Sequence, residues 1–406
     1  VSDISADLGT GRASVGAVLD YAWTAGEFTA TDAMASTAIT RSTAIEALAT
    51  LVSAEILTEL PNARAAGAYR AGRPARRFTL SPALGVVAGI DAGDTHLAVT
   101  IADPLETTLA ERRTEIDPEE TPAERRAIIV EQLQQALRDA GRTREDLLAI
   151  CAGVAAPVNR DGVSPPHPEG FWERTNPGLA AALDGWAPIV DVKNDSVLAA
   201  VAEGSLGAAV GCRDYVALLA GERFGGGVVV DGHLLHGAHG GVGEGIVFDH
   251  IIGVAGAFGL GPTLHHQLLA AVESGEIDAG SRVGRLVDTE RIDTRLMLEL
   301  ATAGDPDALL VASRLGDTLA RVVGVLGSMY DPARVIVCGA IAESIEPVLA
   351  AARTVLPAQL HLPAPDLLAS SLGAEVVSLG AVATARRAAR ERAVPLLAEQ
   401  RLAART

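Results

Sequence analysis

The chain has 406 residues, more than one hydrophobic core usually serves, so about two or three domains are expected. It is 49% apolar and 21% charged, which excludes disorder throughout, and its longest apolar runs are of strand length, which excludes a membrane-spanning helix. The net charge of −18 argues against a nucleic-acid partner only if it is spread evenly, and it is not: residues 61–80 hold Arg64, Arg70, Arg73, Arg76 and Arg77 and no acid.

Residues 1–11 carry Asp3 and Asp7 without a basic start or an apolar stretch. They do not read as a secretory signal, and a cytoplasmic location is expected. Residues 13–24 then place Val15, Val18, Leu19 and Ala22 at helical spacing. Thr29 can cap a second helix through Asp32, Ala33 and Met34. After a short connection, Thr40 supplies the hydroxyl N-cap of a third helix with Ile45, Leu48, Leu51 and Val52 on its inner face. The first turn of that helix, Arg41, Ser42 and Thr43, projects outward, as the start of a recognition helix must to reach base edges in the major groove. Ala38 stands where such turns often use glycine, and a left-handed backbone there would cost about 1 kcal/mol.

Two β-prone runs, 56–60 and 76–80, flank a turn-rich stretch with Gly67, Gly72 and Pro74. This predicts a wing whose tip, Arg70, Gly72, Arg73 and Pro74, suits a narrow and strongly negative minor groove. Residues 1–80 are therefore read as a winged helix-turn-helix domain with a double-stranded DNA operator as partner.

From residue 81 strands alternate with helices. Residues 86–91 form a buried strand, and a turn with Asp91 and Gly93 leads to a second strand over 96–102. Such a strand, Asp–Gly turn and strand can cup phosphates with backbone N–H groups. An amphipathic helix is expected over 119–137. A strand ends at Asn194-Asp195 and opens a helix, which Asp195 can cap. A second hairpin, 215–220 and 225–230, encloses a loop running through Glu222 and Arg223 to Gly225, Gly226 and Gly227. A Gly- and His-rich run, 232–244, closes on Glu244. Cys151, Cys212 and Cys338 are far apart among apolar neighbours, so free buried thiols are expected.

In their order, the basic wing, the Asp91 turn, Asn194-Asp195, the glycine triplet, the run to Glu244 and the segment 335–340 resemble the ROK family, which groups sugar-responsive repressors with sugar kinases. The resemblance implies an α/β protein: a winged helix-turn-helix followed by a two-lobed actin-like ATPase or sugar-kinase fold, with lobes at 81–200 and 201–406 and the C-terminal helix returning to the first lobe. It implies that Asn194, Asp195 and Glu244 bind the hydroxyls of a carbohydrate effector, Asp195 standing where the family's kinases have their catalytic base. It also implies a homodimer or homotetramer.

Departures from the kinase pattern are concentrated at the phosphate loops. Asp94 replaces a second glycine of the first turn, and Glu222-Arg223 replaces Thr-Gly before the glycine triplet. Two added carboxylates oppose a polyanionic nucleotide, so Asp91, Gly93, Gly225 and Gly226 are read as vestigial phosphate loops, Asp195 as a vestigial base, and catalysis is not expected. The His and clustered Cys that follow the Glu in zinc-binding relatives are replaced by Gly245-Ile246-Val247-Phe248, with no Cys up to Gln267. Neither a metal nor a cofactor is expected. A sugar kinase with a DNA-binding arm, and a regulator whose large domain only oligomerises, remain as alternatives.

Overall fold

The computed structural model describes residues 10–61, 75–288 and 292–403. Helix α1 (Thr10–Ala25), strand β1 (Phe28–Thr29), α2 (Ala30–Thr37) and α3 (Arg41–Ser53) lead to the hairpin of β2 (Leu57–Leu60) and β3 (Arg77–Leu80). Thr29 and Asp32 form a capping box on α2, and Thr40 accepts from Thr43 N to cap α3. Between these helices Ala38 does adopt the left-handed conformation, at φ 54° and ψ 26°. Strand β3 pairs antiparallel with β2 and with β1, completing a winged helix. The wing tip, Arg70, Gly72, Arg73 and Pro74, lies outside the described residues.

The core of this module holds Val18, Trp23, Phe28, Leu48, Leu51 and Phe78. Ile45 was expected inside and is 46% exposed; Ala44 and Ala47 face inward instead. The reason is helical geometry: Ile45 is four residues from Arg41 and shares its outward face.

The large domain repeats one topology twice. In the first lobe β4 (Val86–Ala92), β5 (His96–Ala102), β6 (Thr108–Glu115), β7 (Leu147–Val154) and β8 (Ile189–Asn194) form a sheet of order β6-β5-β4-β7-β8, covered by α4 (Pro122–Asp139) and flanked by the short α5 (Phe171–Thr175) and α6 (Leu179–Ala182). The helix expected over 119–137 thus begins after Thr121, its N-cap. α7 (Asp195–Leu206) crosses to the second lobe, where β9 (Tyr215–Leu219), β10 (Gly225–Val230), β11 (His233–Leu234), β12 (Arg334–Cys338) and β13 (Asp366–Ala369) take the order β11-β10-β9-β12-β13. Helices α8 (Leu260–Glu273), α9 (Thr294–Thr302), α10 (Pro306–Tyr330) and α11 (Glu346–Val355) complete that lobe. In both sheets the leading strands are antiparallel and the trailing ones parallel. Among the described residues no helix is long and apolar enough to cross a membrane.

α12 (Val376–Ala388) then packs against β4, β7 and α7, and a π turn (Ala389–Ala393) joins it to α13 (Val394–Ala403). Its approach to α7 is close enough that a Cβ on Gly380 would stand 2.0 Å from the carbonyl oxygen of Leu198. One continuous apolar cluster therefore runs from Trp23 and Leu48 through α12 and α7 to both sheets. Cys151 and Cys338 are buried within it as free thiols, whereas Cys212 is only partly buried.

Arginines beyond Gly380 tie the two halves together. Arg386 donates to Pro104 O at 2.7 Å and Trp23 O at 3.1 Å and pairs with Glu106 at 2.6 Å. Arg390 meets Asp20 at 3.2 Å, and Arg401 donates to Ala54 O, just beyond α3, at 3.0 Å.

Two glycines test this packing. Gly380→Ala drives a methyl into Leu198 O and should destabilise by about 1–3 kcal/mol. Gly16→Ala, on the exposed side of α1 with open space around it, should stabilise by about 0.5–1 kcal/mol. Urea midpoints moving in opposite directions are the expected result.

Candidate functional site

The cleft is built where β8 ends and α7 begins. Asn194, not Asp195, is the N-cap of α7: its Oδ1 accepts from Ser196 N at 2.9 Å and Val197 N at 3.3 Å, and from the Ser196 hydroxyl. The expectation of Asp195 as cap is corrected by one position, because β8 keeps its extended backbone through Asn194. The Asn194 amide donates to Ala156 O at 3.0 Å and to Glu244 Oε1 at 3.1 Å. One side chain thus starts the helix, holds the first lobe and reaches the second. Glu244 is set in turn by the glycine loop, through a bridge to Gly225 and the hydrogen bond from Gly226 N to Gly243 O at 2.8 Å. Gly227 lets β10 lie on α7, since a Cβ there would stand 2.0 Å from Ser196 O.

Asp195 and Glu244 line one narrow pocket and are each partly buried. Burial, reinforced by the neighbouring Glu244 and Asp91, raises Asp195 to about 7. Burial also raises Glu244 to about 7, against the pull of Arg223. Carboxyls titrating near neutrality beside an amide can accept from, or donate to, the hydroxyls of a polyol.

The turn between β4 and β5, expected to cup phosphates, carries more than Asp94. Asp91 is buried, and His96 Nε2 lies 3.3 Å from its Oδ2, an interaction that raises the imidazole pKa. The His96 ring occupies the space beside Gly93, where an added Cβ would meet it at 2.1 Å. Asp94 is not left as a bare carboxylate, since Arg174 pairs with it at 3.2 Å. The buried Arg125 donates to Asp94 O at 2.9 Å and also to Gly93 O. On the second turn Glu222 is exposed and its carbonyl accepts from Gly259 N at 2.8 Å.

Reading the sequence did not find His167, Phe171 and Trp172, which line the same pocket. His167 packs edge-on to Trp172 with centroids 4.8 Å apart. Two adjacent aromatics in a chain only 3% aromatic were the available signal. Arg125 and Arg174 were missed as well, because nothing local marks a cation that pairs with a turn 31 or 80 residues away.

The other candidate surface is the start of α3. Arg41 and Ser42 are exposed, and Ile45 stands on the same face. Thr43 is half-buried, and its hydroxyl lies 2.8 Å from that of Thr40.

The bifunctional enzyme NanE/NanK of Brucella suis biovar 1 is 30% identical over 214 residues, which are 50% of this chain and 35% of that protein. The chain thus spans about a third of that relative. A ROK family transcriptional regulator described as a homologue of the E. coli MLC protein superposes with a TM-score of 0.74 at 19% identity, over 96% of this chain and 99% of the other. A ROK family glucokinase from Streptomyces griseus, in complex with glucose and AMPPNP, gives 0.61 at 23% identity over 75% of this chain and 100% of its own. At these identities both structures speak for the fold alone: the regulator for the whole, a winged helix-turn-helix on a two-lobed actin-like domain, and the glucokinase for about three quarters of it. Residues 87–388 match the ROK family model, and by that match the chain belongs to the ROK family.

Proposed function

We propose that the protein is a DNA-binding transcription regulator, a repressor, whose winged helix reads a double-stranded operator and whose cleft holds a carbohydrate effector. The observation that carries this reading is the exposed face of Arg41, Ser42 and Ile45 at the start of a capped α3. Arg suits guanine in the major groove, and an aliphatic group suits the thymine methyl. A homodimer or homotetramer would set two such helices against a near-palindromic site. In the cleft, Asn194, Asp195 and Glu244 would take vicinal hydroxyls.

The second reading, a sugar kinase, is favoured by Asp195 itself, since a carboxylate near 7 suits a general base. Against it stand the His96 ring beside Gly93 and the carbonyls of the first turn held by Arg125. We therefore assign Asp91, Gly93, Gly225 and Gly226 to a loop scaffold that no longer serves ATP, and expect no turnover.

Arg41→Ala should cost about 1–3 kcal/mol of operator binding and relax base preference. Arg73→Ala, in the segment expected to form the wing tip, should weaken binding on all sequences and lower the salt slope by about 1. Selection from genomic fragments, then mobility shifts across a salt series, measures both; no sequence preference at any salt overturns the regulator reading.

Incubation with sugars and millimolar ATP should give no product above background. Turnover abolished by Asp195→Asn would establish the kinase reading instead.

The raised carboxyls also set a pH dependence. Asp195 and Glu244 move from 3.8 and 4.5 to about 7 on folding, so between those values the folded state holds more protons than the unfolded chain. Their contribution to stability is present at about pH 4 and is lost as the pH rises through about 7. The thermal midpoint should therefore fall less steeply over that window in Asp195→Asn than in the wild type.

A further inference from the structure

The loop between β9 and β10 brings Arg223 into the cleft, at a position where the family's kinases have glycine. Its guanidinium lies over the ring of Phe171 at 4.9 Å and over that of Phe258 at 5.8 Å. It lines the same pocket as Asn194, Asp195 and Glu244. Arg174 also approaches Phe171, at 5.2 Å, but its charge is matched by Asp94. Arg223 is exposed, and among the described residues its side chain makes no hydrogen bond or ion pair, so its donors are open to a ligand while its guanidinium is held near two aromatic rings.

Granting that the cleft holds a carbohydrate, as proposed above, we infer that the ligand is an anionic one, a sugar phosphate or a sugar acid: Asn194, Asp195 and Glu244 take its hydroxyls and Arg223 takes its phosphate or carboxylate. A guanidinium presents a planar fork of donors that fits two oxygens of either group, and charge-assisted bonds of this kind are about twice as strong as neutral ones. Stacking on Phe171 and Phe258 fixes the fork before the ligand arrives, so little side-chain entropy is lost on binding. The replacement of glycine by arginine also changes what the loop can receive. An open backbone cradle suits a nucleotide tail, whereas a single cation beside the hydroxyl-binding groups suits one anionic substituent on the sugar.

The alternative role for Arg223 is a strut that spaces the lobes by touching Phe171 of the first and Phe258 of the second. A strut would affect every ligand alike. An anion contact would affect only charged ones.

The test is calorimetric titration of the full chain with aldohexoses in three forms, neutral, 6-phosphate and uronate, with inorganic phosphate as a further titrant. Arg223→Gln and Arg223→Lys are titrated beside the wild type. The expected result is an anionic form binding about tenfold or more tightly than its neutral parent, with that preference lost in Arg223→Gln and partly kept in Arg223→Lys. The neutral parent's affinity should stay within about twofold across the three proteins. The phosphate and uronate arms decide which anion is used. The inference is overturned if the neutral sugar binds as well as both charged forms, or if Arg223→Gln weakens all forms equally, and the carbohydrate reading then stands. It is also overturned if inorganic phosphate binds as tightly as the sugar phosphates. If no carbohydrate binds at all, both fall together.

Discussion

The crossing of α12 over α7 is the contact on which the rest of the arrangement depends. It is possible because position 380 has no side chain, so that the helix can rest on the backbone of Leu198. α7 begins at the cleft, with Asn194 as its cap and Asp195 as its first residue, and α12 runs on into the arginines that hold Asp20, Trp23 and Pro104. Any movement of α7 therefore reaches the winged helix through packed elements and not through a flexible linker. Arg392, in the π turn, adds a direct tie to Asp191 of β8 at 2.6 Å. A fully buried carboxylate, Glu203, stiffens the far end of α7 by accepting from Ala208 N at 2.7 Å and from the Ser370 hydroxyl beneath β13. Close-packed interfaces of this kind switch between discrete arrangements more readily than they bend. A tenfold change in operator affinity would need only about 1.4 kcal/mol of difference in ligand binding to two such arrangements.

The cleft balances two of its carboxylates in local pairs. Asp91 faces His96 and Asp94 faces Arg174. These two pairs offset the burial of Asp91 and Asp94, whereas Asp195 and Glu244 have no such ion pair and burial raises both to about 7. In the first turn Arg125 is directed to carbonyl oxygens, so the turn is stabilised from within.

Much of this was legible in the sequence because it is local. Thr29 and Thr40 announce their helices through hydroxyl caps three residues from their targets, and the two hairpins follow from β-prone runs around glycine turns. Ala38 could be singled out as strained from its place in the turn alone. What the sequence hid is what depends on distant partners. Nothing near Asn194 says that it, and not Asp195, will cap α7, since either side chain can accept from the same backbone N–H groups. Ile45 read as core by hydrophobicity, but the small Ala44 and Ala47 allow the rest of the module to come close on the other face. The aromatic and cationic lining of the pocket is assembled from both lobes, from segments about fifty residues apart or more in the chain, and no periodicity encodes that meeting.

The clasp on α1 has a consequence for the order in which the protein comes into being. Trp23 and Asp20 find Arg386 and Arg390 across 363 and 370 residues of intervening chain. A ribosome makes the winged helix before α12, at about 5–20 residues per second, so that module must wait tens of seconds for the arginines that dock it. During that interval α1 is a young helix with part of its apolar surface uncovered.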